Sequence, residues 1–135
     1  MINVTCALIV NEDKILVAQN NSTSDHPFQW EFPGGKVKDN ESTEDCIVRE
    51  VYEELELNIE VMKALHSIEF DYGHKSIRLI PFLCKIISGV PKLNDHNDIK
   101  WYKHEELKQI DLSAADAFLI NDKKNSAILK KYFGE

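Results

Sequence analysis

EDCIVREVYEELEL, residues 44–57, sets an acidic trio beside an apolar stripe. Ile47, Val48, Val51 and Leu55 recur at helical spacing, which predicts an amphipathic helix packed along one flank. Glu50, Glu53 and Glu54 crowd the adjacent flank at spacings of three and four, where each like-charged pair costs a few tenths of a kcal/mol. Ser42 is the expected N-cap, with Asp45 three residues on approximating a capping box. Something outside the helix must compensate for the crowding, and a divalent cation is the obvious candidate. A solvated acidic face is the plainer alternative, because charge runs usually face water.

Working outward, residues 3–10 and 14–19 are β-rich runs around a short NED turn, a predicted hairpin. Residues 20–29 are polar and turn-prone, a surface loop of functional length. WEFPGGKV follows, with Pro33-Gly34-Gly35 breaking any regular element. Beyond the acidic helix, residues 59–71 and 76–88 read as two strands around YGHK. A short strand is expected at 98–102, a small helix at 104–109, and an amphipathic stretch over roughly 113–133 interrupted by NDKKNS. Strands and helices mix without a βαβ rhythm, so a mixed sheet with helices packed on it is expected.

At 135 residues the chain is expected to form one domain over 1–135, with a core that needs no staples. Cys6, Cys46 and Cys84 are an odd set inside apolar segments, which suits buried free thiols in a reducing cytosol. The N-terminus lacks a basic leader pattern, and no apolar run reaches the roughly 18 residues that span a bilayer. A cytoplasmic location with no membrane partner is therefore the expectation. The net charge of −7 argues against a nucleic acid polymer as partner. If the partner is a phosphate compound, a metal ion is expected to mediate the contact.

Gly35, Glu41, Arg49-Glu50-Val51 and Glu53-Glu54 together form the pattern G-x5-E-x7-R-E-V-x-E-E, seven defined positions over twenty residues. This resembles the signature of the Nudix hydrolases. WEFPGGKV before it, LIPFLCKIISGVP after it and SAADAFLI near the end are similar to MutT-type nucleoside triphosphate pyrophosphohydrolases, nearest the (deoxy)cytidine triphosphate branch.

The resemblance implies an α/β (α+β) fold, an α/β/α sandwich with the box helix and a C-terminal helix on a mixed β-sheet. It implies hydrolysis of a (deoxy)nucleoside triphosphate to the monophosphate and pyrophosphate, with water attacking the β-phosphorus, in nucleotide-pool sanitising. Glu50, Glu53 and Glu54 are implied as metal ligands with the carbonyl of Gly34, and Mg²⁺ or Mn²⁺ suits hard oxygen donors. Glu50, Glu53 and Asp95 form the implied catalytic set, with Glu50 or Asp95 as base. Arg49 is implied to orient charge. Lys36, Tyr72, Arg78 and Asp116 are the expected substrate contacts. Asp116 can accept from a cytosine amine or from the N–H edge of an oxidised guanine, and both stay open. His26, His74, His96 and His104 are not expected as ligands, since imidazole matches Mg²⁺ poorly and His96 and His104 sit in polar, loop-like sequence.

Three positions depart from the pattern, one of them Asp95, six residues before Trp101, where the family's additional acidic residue is usually the longer Glu. Glu56 stands where the box has its final glycine, which implies a different helix exit or strain. Asn20 stands where many members carry a phosphate-contacting arginine. Other readings are a Nudix hydrolase of ADP-ribose or a dinucleoside polyphosphate, and a non-catalytic nucleotide-binding domain. Such domains typically lose box carboxylates, and here none is missing. The expected oligomeric state is monomer or homodimer.

Overall fold

The computed structural model describes residues 1–135. Strand β1 (Ile2–Asn11) runs through the middle of an eight-stranded mixed sheet. It pairs antiparallel with β2 (Lys14–Gln19) and with β4 (Gly34–Lys36), and parallel with β7 (Ser76–Ser88) from Ile2 opposite Ile77 to Val10 opposite Lys85. The short β3 (Trp30–Glu31) and β8 (Asp98–Lys103) extend the β2 side, and β5 (Asn58–Ala64) and β6 (Ile68–Asp71) both pair with β7. Residues 6–10 read as an unbroken apolar run because both faces of β1 are covered, and Thr5 before them is buried too. Cys6, Leu8 and Val10 face one core and Ala7 and Ile9 the other, the two-residue period of a strand.

Helix α1 (Thr43–Leu55) closes the second core with Ile47, Val51 and Leu55. Ser42 caps it, its hydroxyl accepting from the Asp45 N–H at 3.0 Å. Helices α2 (Ala114–Asn121) and α3 (Lys123–Phe133) cover the opposite face through Ala115, Leu119, Ile120 and Leu129. The layers are therefore helix, sheet, helix. All three cysteines are buried and free, and no helix is long and apolar enough to cross a membrane.

Two expected elements differ. Residues 59–71 form two strands rather than one, because Pro81 in β7 has no N–H to offer a continuous ladder. Leu65 keeps one bond, its N–H donating to the Pro81 carbonyl at 3.0 Å; the chain then steps away at His66–Ser67, and Asn125 of α3 takes over the freed backbone there. Its side chain accepts from the His66 N–H at 2.7 Å and donates to the His66 carbonyl at 2.8 Å. The last stretch breaks at Asp122 alone, whose side chain caps α3 by accepting from the Asn125 N–H at 3.1 Å. Most of NDKKNS is thus helical.

Glu56 takes the left-handed conformation itself, at φ 55° and ψ 32°, its N–H donating to the Tyr52 carbonyl at 2.8 Å. A side chain there costs roughly 1–2 kcal/mol, while glycine gives back about 0.5–1 kcal/mol through its freer unfolded chain. Glu56 also accepts from the Asn94 amide at 3.2 Å. Glu56→Gly is therefore expected to raise stability by about 0.5 kcal/mol, read as a higher urea midpoint at unchanged slope. A clear loss would show that the Asn94 contact outweighs the strain.

Candidate active site

The acidic trio of α1 is divided by burial. Glu53 is 52% exposed, Glu50 18% and Glu54 only 9%. The stripe and the trio overlap at Glu54, which packs inward beside the core residues Val51 and Leu55. Burial pushes its carboxyl up to about 10, with Glu31, Glu50 and Asp95 adding repulsion. Its Oε1 is buried and has no hydrogen-bond partner.

Arg49 gathers the rest. Its Nε donates to Glu41 Oε2 at 2.7 Å and Nη2 to Glu41 Oε1 at 2.9 Å, a two-pronged pair. Nη1 reaches Glu50 at 2.9 Å and Glu53 at 3.2 Å. A further bond from Nη2 to the Lys36 carbonyl, at 3.2 Å, ties the helix to β4. The guanidinium holds the Glu41 carboxyl down to about 2. Arg49 thus orients the box carboxylates and is itself saturated by them.

Glycine is required beside this cluster for close approach. A Cβ on Gly35 would overlap the Glu50 carboxylate, and one on Gly34 would overlap the Thr5 carbonyl across the β1–β4 pairing.

Beside Glu31 and the Gly34-Gly35 pair lie two hollows that share part of their lining. The inner one, about 120 Å³, is lined by Cys6, Asn20, Glu31, Phe32, Tyr72 and Asp116. The outer one, about 240 Å³, shares His26, Glu31 and Tyr72 with it and adds Gly35, Lys36 and Lys75. Asp116 is placed by a clamp at the start of α2, where Trp30 donates to the Asp111 carbonyl at 2.9 Å and Ser113 to the Trp30 carbonyl at 2.8 Å. The buried Asp116 carboxyl accepts from the Phe32 N–H at 2.9 Å, and burial pushes it up to about 7. Tyr72 stacks on His26 at 5.7 Å and carries Lys75 over its ring. A groove of about 530 Å³ between β5, β7 and α3 is larger but holds no carboxylate.

Tyr72 therefore lines both hollows, Asp116 the inner one and Lys36 the outer one. Arg78 does not join them. It alternates with the inward-facing Ile77 and Leu79, so it projects from the other face of β7, exposed and paired with Glu69 at 3.3 Å. Asn20 lies in the cleft, but its amide donates to the His26 carbonyl at 3.1 Å, fixing the 20–29 loop. Asp95 is exposed, close enough to Glu54 to raise its carboxyl further.

The surroundings of two histidines need correcting. His104 is buried and bonded to Glu135 at 2.7 Å. His96 is 5% exposed, with Nε2 at 2.9 Å from Glu31 and 3.7 Å from Glu54. Glu31 and His96 escaped the sequence reading because the fold, not their spacing, joins them. Their only signals were adjacency, Glu31 to the Pro33-Gly34-Gly35 turn and His96 to Asp95.

A NUDIX domain family model matches residues 1–123. The CTP pyrophosphohydrolase of Escherichia coli K12 is 34% identical over 120 residues, covering 89% of each chain. An 8-oxo-dGTP diphosphatase of Buchnera aphidicola (from Acyrthosiphon pisum) is 34% identical over 103 residues, 76% of this chain and 83% of that one. Among solved structures, the E. coli ORF135 protein superposes with a TM-score of 0.80 at 32% identity, covering 95% of this chain and 90% of that one. A MutT hydrolase from Burkholderia pseudomallei superposes at 0.78 with 24% identity, covering 90% and 97%, a likeness of fold.

Proposed function

We propose how these residues divide the work from one settled premise: the chain belongs to the Nudix hydrolase family. It is an enzyme that hydrolyses acid anhydrides of nucleotides, a pool-sanitising pyrophosphohydrolase. Nudix hydrolases generally use divalent cations. Glu54 fits that need, since its unpartnered, buried oxygen beside Glu50 is costly unless a cation meets it. This single observation carries the reading.

Glu50, Glu53, Glu54 and the Gly34 carbonyl would hold Mg²⁺ or Mn²⁺. Bound there, the ion would neutralise phosphate charge and lower the pKa of water. The substrate is a (deoxy)nucleoside triphosphate. Water's oxygen bonds to the β-phosphorus, the bridging P–O bond breaks, and its electron pair leaves with the nucleoside monophosphate. Glu50 takes the water's proton in preference to Asp95, because Arg49 fixes its carboxylate while Asp95 is exposed. Lys36 lies at the phosphate side of the cleft and Tyr72 beneath the base. The working form is a monomer or homodimer, cytoplasmic, without nucleic acid polymers as partners.

Asp116 reads the base. Its acceptor oxygens suit amino or ring N–H donors, as cytosine and 8-oxoguanine offer. The test is a panel of canonical, methylated and oxidised triphosphates with Mg²⁺, products separated by chromatography. Monophosphate and pyrophosphate should appear, and phosphate or ADP-ribose cleavage alone would refute the reading. In the same panel Asp116→Ala should lower kcat/KM for the preferred base about 5- to 100-fold, leaving donors unpaired at about 1–3 kcal/mol, and flatten selectivity. A uniform drop across all bases would mean that Asp116 only anchors Phe32.

A further inference from the structure

We propose that Glu31, Glu54 and His96 form a second cation site, of mixed nitrogen and oxygen character, suited to a divalent transition ion rather than Mg²⁺. It shares Glu54 with the proposed box site and rests on that reading only there.

Three donor atoms from distant parts of the chain lie within 4.8 Å of one another. Nε2 of His96 is 2.9 Å from Glu31 Oε2 and 3.7 Å from Glu54 Oε1. Ligands about 2.1 Å from one ion sit roughly 3–4 Å apart, so the donors need little movement to share one. Two of the three side chains are more than nine-tenths buried, and both Glu54 Oε1 and His96 Nδ1 lack partners. Among the three donor atoms the unmet one is Glu54 Oε1, since His96 Nε2 is bonded to Glu31 Oε2 and the unpartnered Nδ1 is the other ring nitrogen.

The loop that carries His96 is built to hold it. Asn94 donates from its side chain to the Glu53 carbonyl at 2.9 Å and from its backbone to the Glu54 carbonyl at 3.2 Å. On the other side, Asn97 donates to the Gln19 carbonyl and side chain, both at 2.8 Å. The residues flanking His96 are thus tied to the end of α1 and the end of β2, and the imidazole between them is fixed toward the carboxylates. An imidazole with two carboxylates suits Zn²⁺, Fe²⁺ or Mn²⁺, whereas Mg²⁺ prefers oxygen alone.

The test uses chelator-treated full-length protein titrated separately with Zn²⁺ and Mg²⁺ in a calorimeter, for the wild type, His96→Gln, Glu31→Gln and Glu53→Gln. Zn²⁺ affinity should fall at least about tenfold in His96→Gln and in Glu31→Gln, with Mg²⁺ affinity changed less than about twofold. Glu53→Gln should do the reverse. With Co²⁺ bound, the wild type should show one exchangeable imidazole N–H proton resonance shifted far outside the normal range, absent in His96→Gln. Equal Zn²⁺ affinity in the wild type and both variants, with no such resonance, would overturn the site and leave His96 as a hydrogen-bonded latch. Failure of the wild type to bind Mg²⁺ would instead overturn the box reading and leave the Zn²⁺ result standing.

Discussion

Glu54→Gln is expected to make the metal-free protein more stable and at least about a hundredfold less active. The carboxyl is pushed from about 4.5 to about 10 by burial and by Glu31 and Glu50. A raised carboxyl favours the folded state below its unfolded pKa, and that advantage drains away as pH rises from about 4.5 to about 10. Glutamine has no such proton to lose. The variant's advantage in stability, read as a higher Tm, should therefore be small near pH 5 and grow steadily, reaching on the order of a few kcal/mol at pH 8. Activity falls because a ligand supplying several kcal/mol of charge stabilisation is gone, and each 1.4 kcal/mol is tenfold. Thermal melts from pH 5 to 9 and steady-state turnover check both halves. Parallel pH curves for wild type and variant, or near-normal turnover, would contradict the assignment of Glu54.

Gly35→Ala should separate activity from stability. The nearest atoms to the added methyl are the end of the Glu50 side chain, which can swing aside, so the fold should survive with Tm moved by a few degrees at most. Glu50 would then leave its place beside Arg49, and a displacement near 1 Å can cost about a hundredfold in rate. Gly34→Ala is the contrasting control. Its methyl meets the backbone of Thr5 inside the β1–β4 pairing, so stability itself should drop. Equal rates in Gly35→Ala and wild type would mean that Glu50 does not act from its observed position.

Local chemistry made much of this legible in the sequence. Ser42 and the Ile47, Val51 and Leu55 stripe announce a capped helix, though Val48 beside them is exposed, and the runs 3–10 and 14–19 announce the hairpin of β1 and β2. The contact of Arg49 with Glu53 follows from their spacing of four on one helix, whereas Glu41 lies before the helix and is brought to Arg49 by the turn that enters it. What escaped depends on tertiary contact. The break after Ala64 is set by Pro81, seventeen positions on, and by Asn125 of another helix. Glu54's burial was hidden because an acid next to an apolar stripe reads as surface. Glu31 and His96 meet only because β3 and the loop after β7 converge on α1, which no spacing records. Arg78 was misplaced for a related reason, since the face of a strand is decided by pairing register.

The central claim is that a cation takes the place of a proton among the carboxylates of α1, and proton release tests it most directly. Mg²⁺ titrated calorimetrically into the metal-free protein at pH 7, in two buffers of different ionisation enthalpy, counts the protons displaced per ion bound. With Glu54 at about 10 before binding, close to one proton should be released in the wild type and almost none in Glu54→Gln. Binding with no proton release in the wild type, or no binding at all, would contradict the claim.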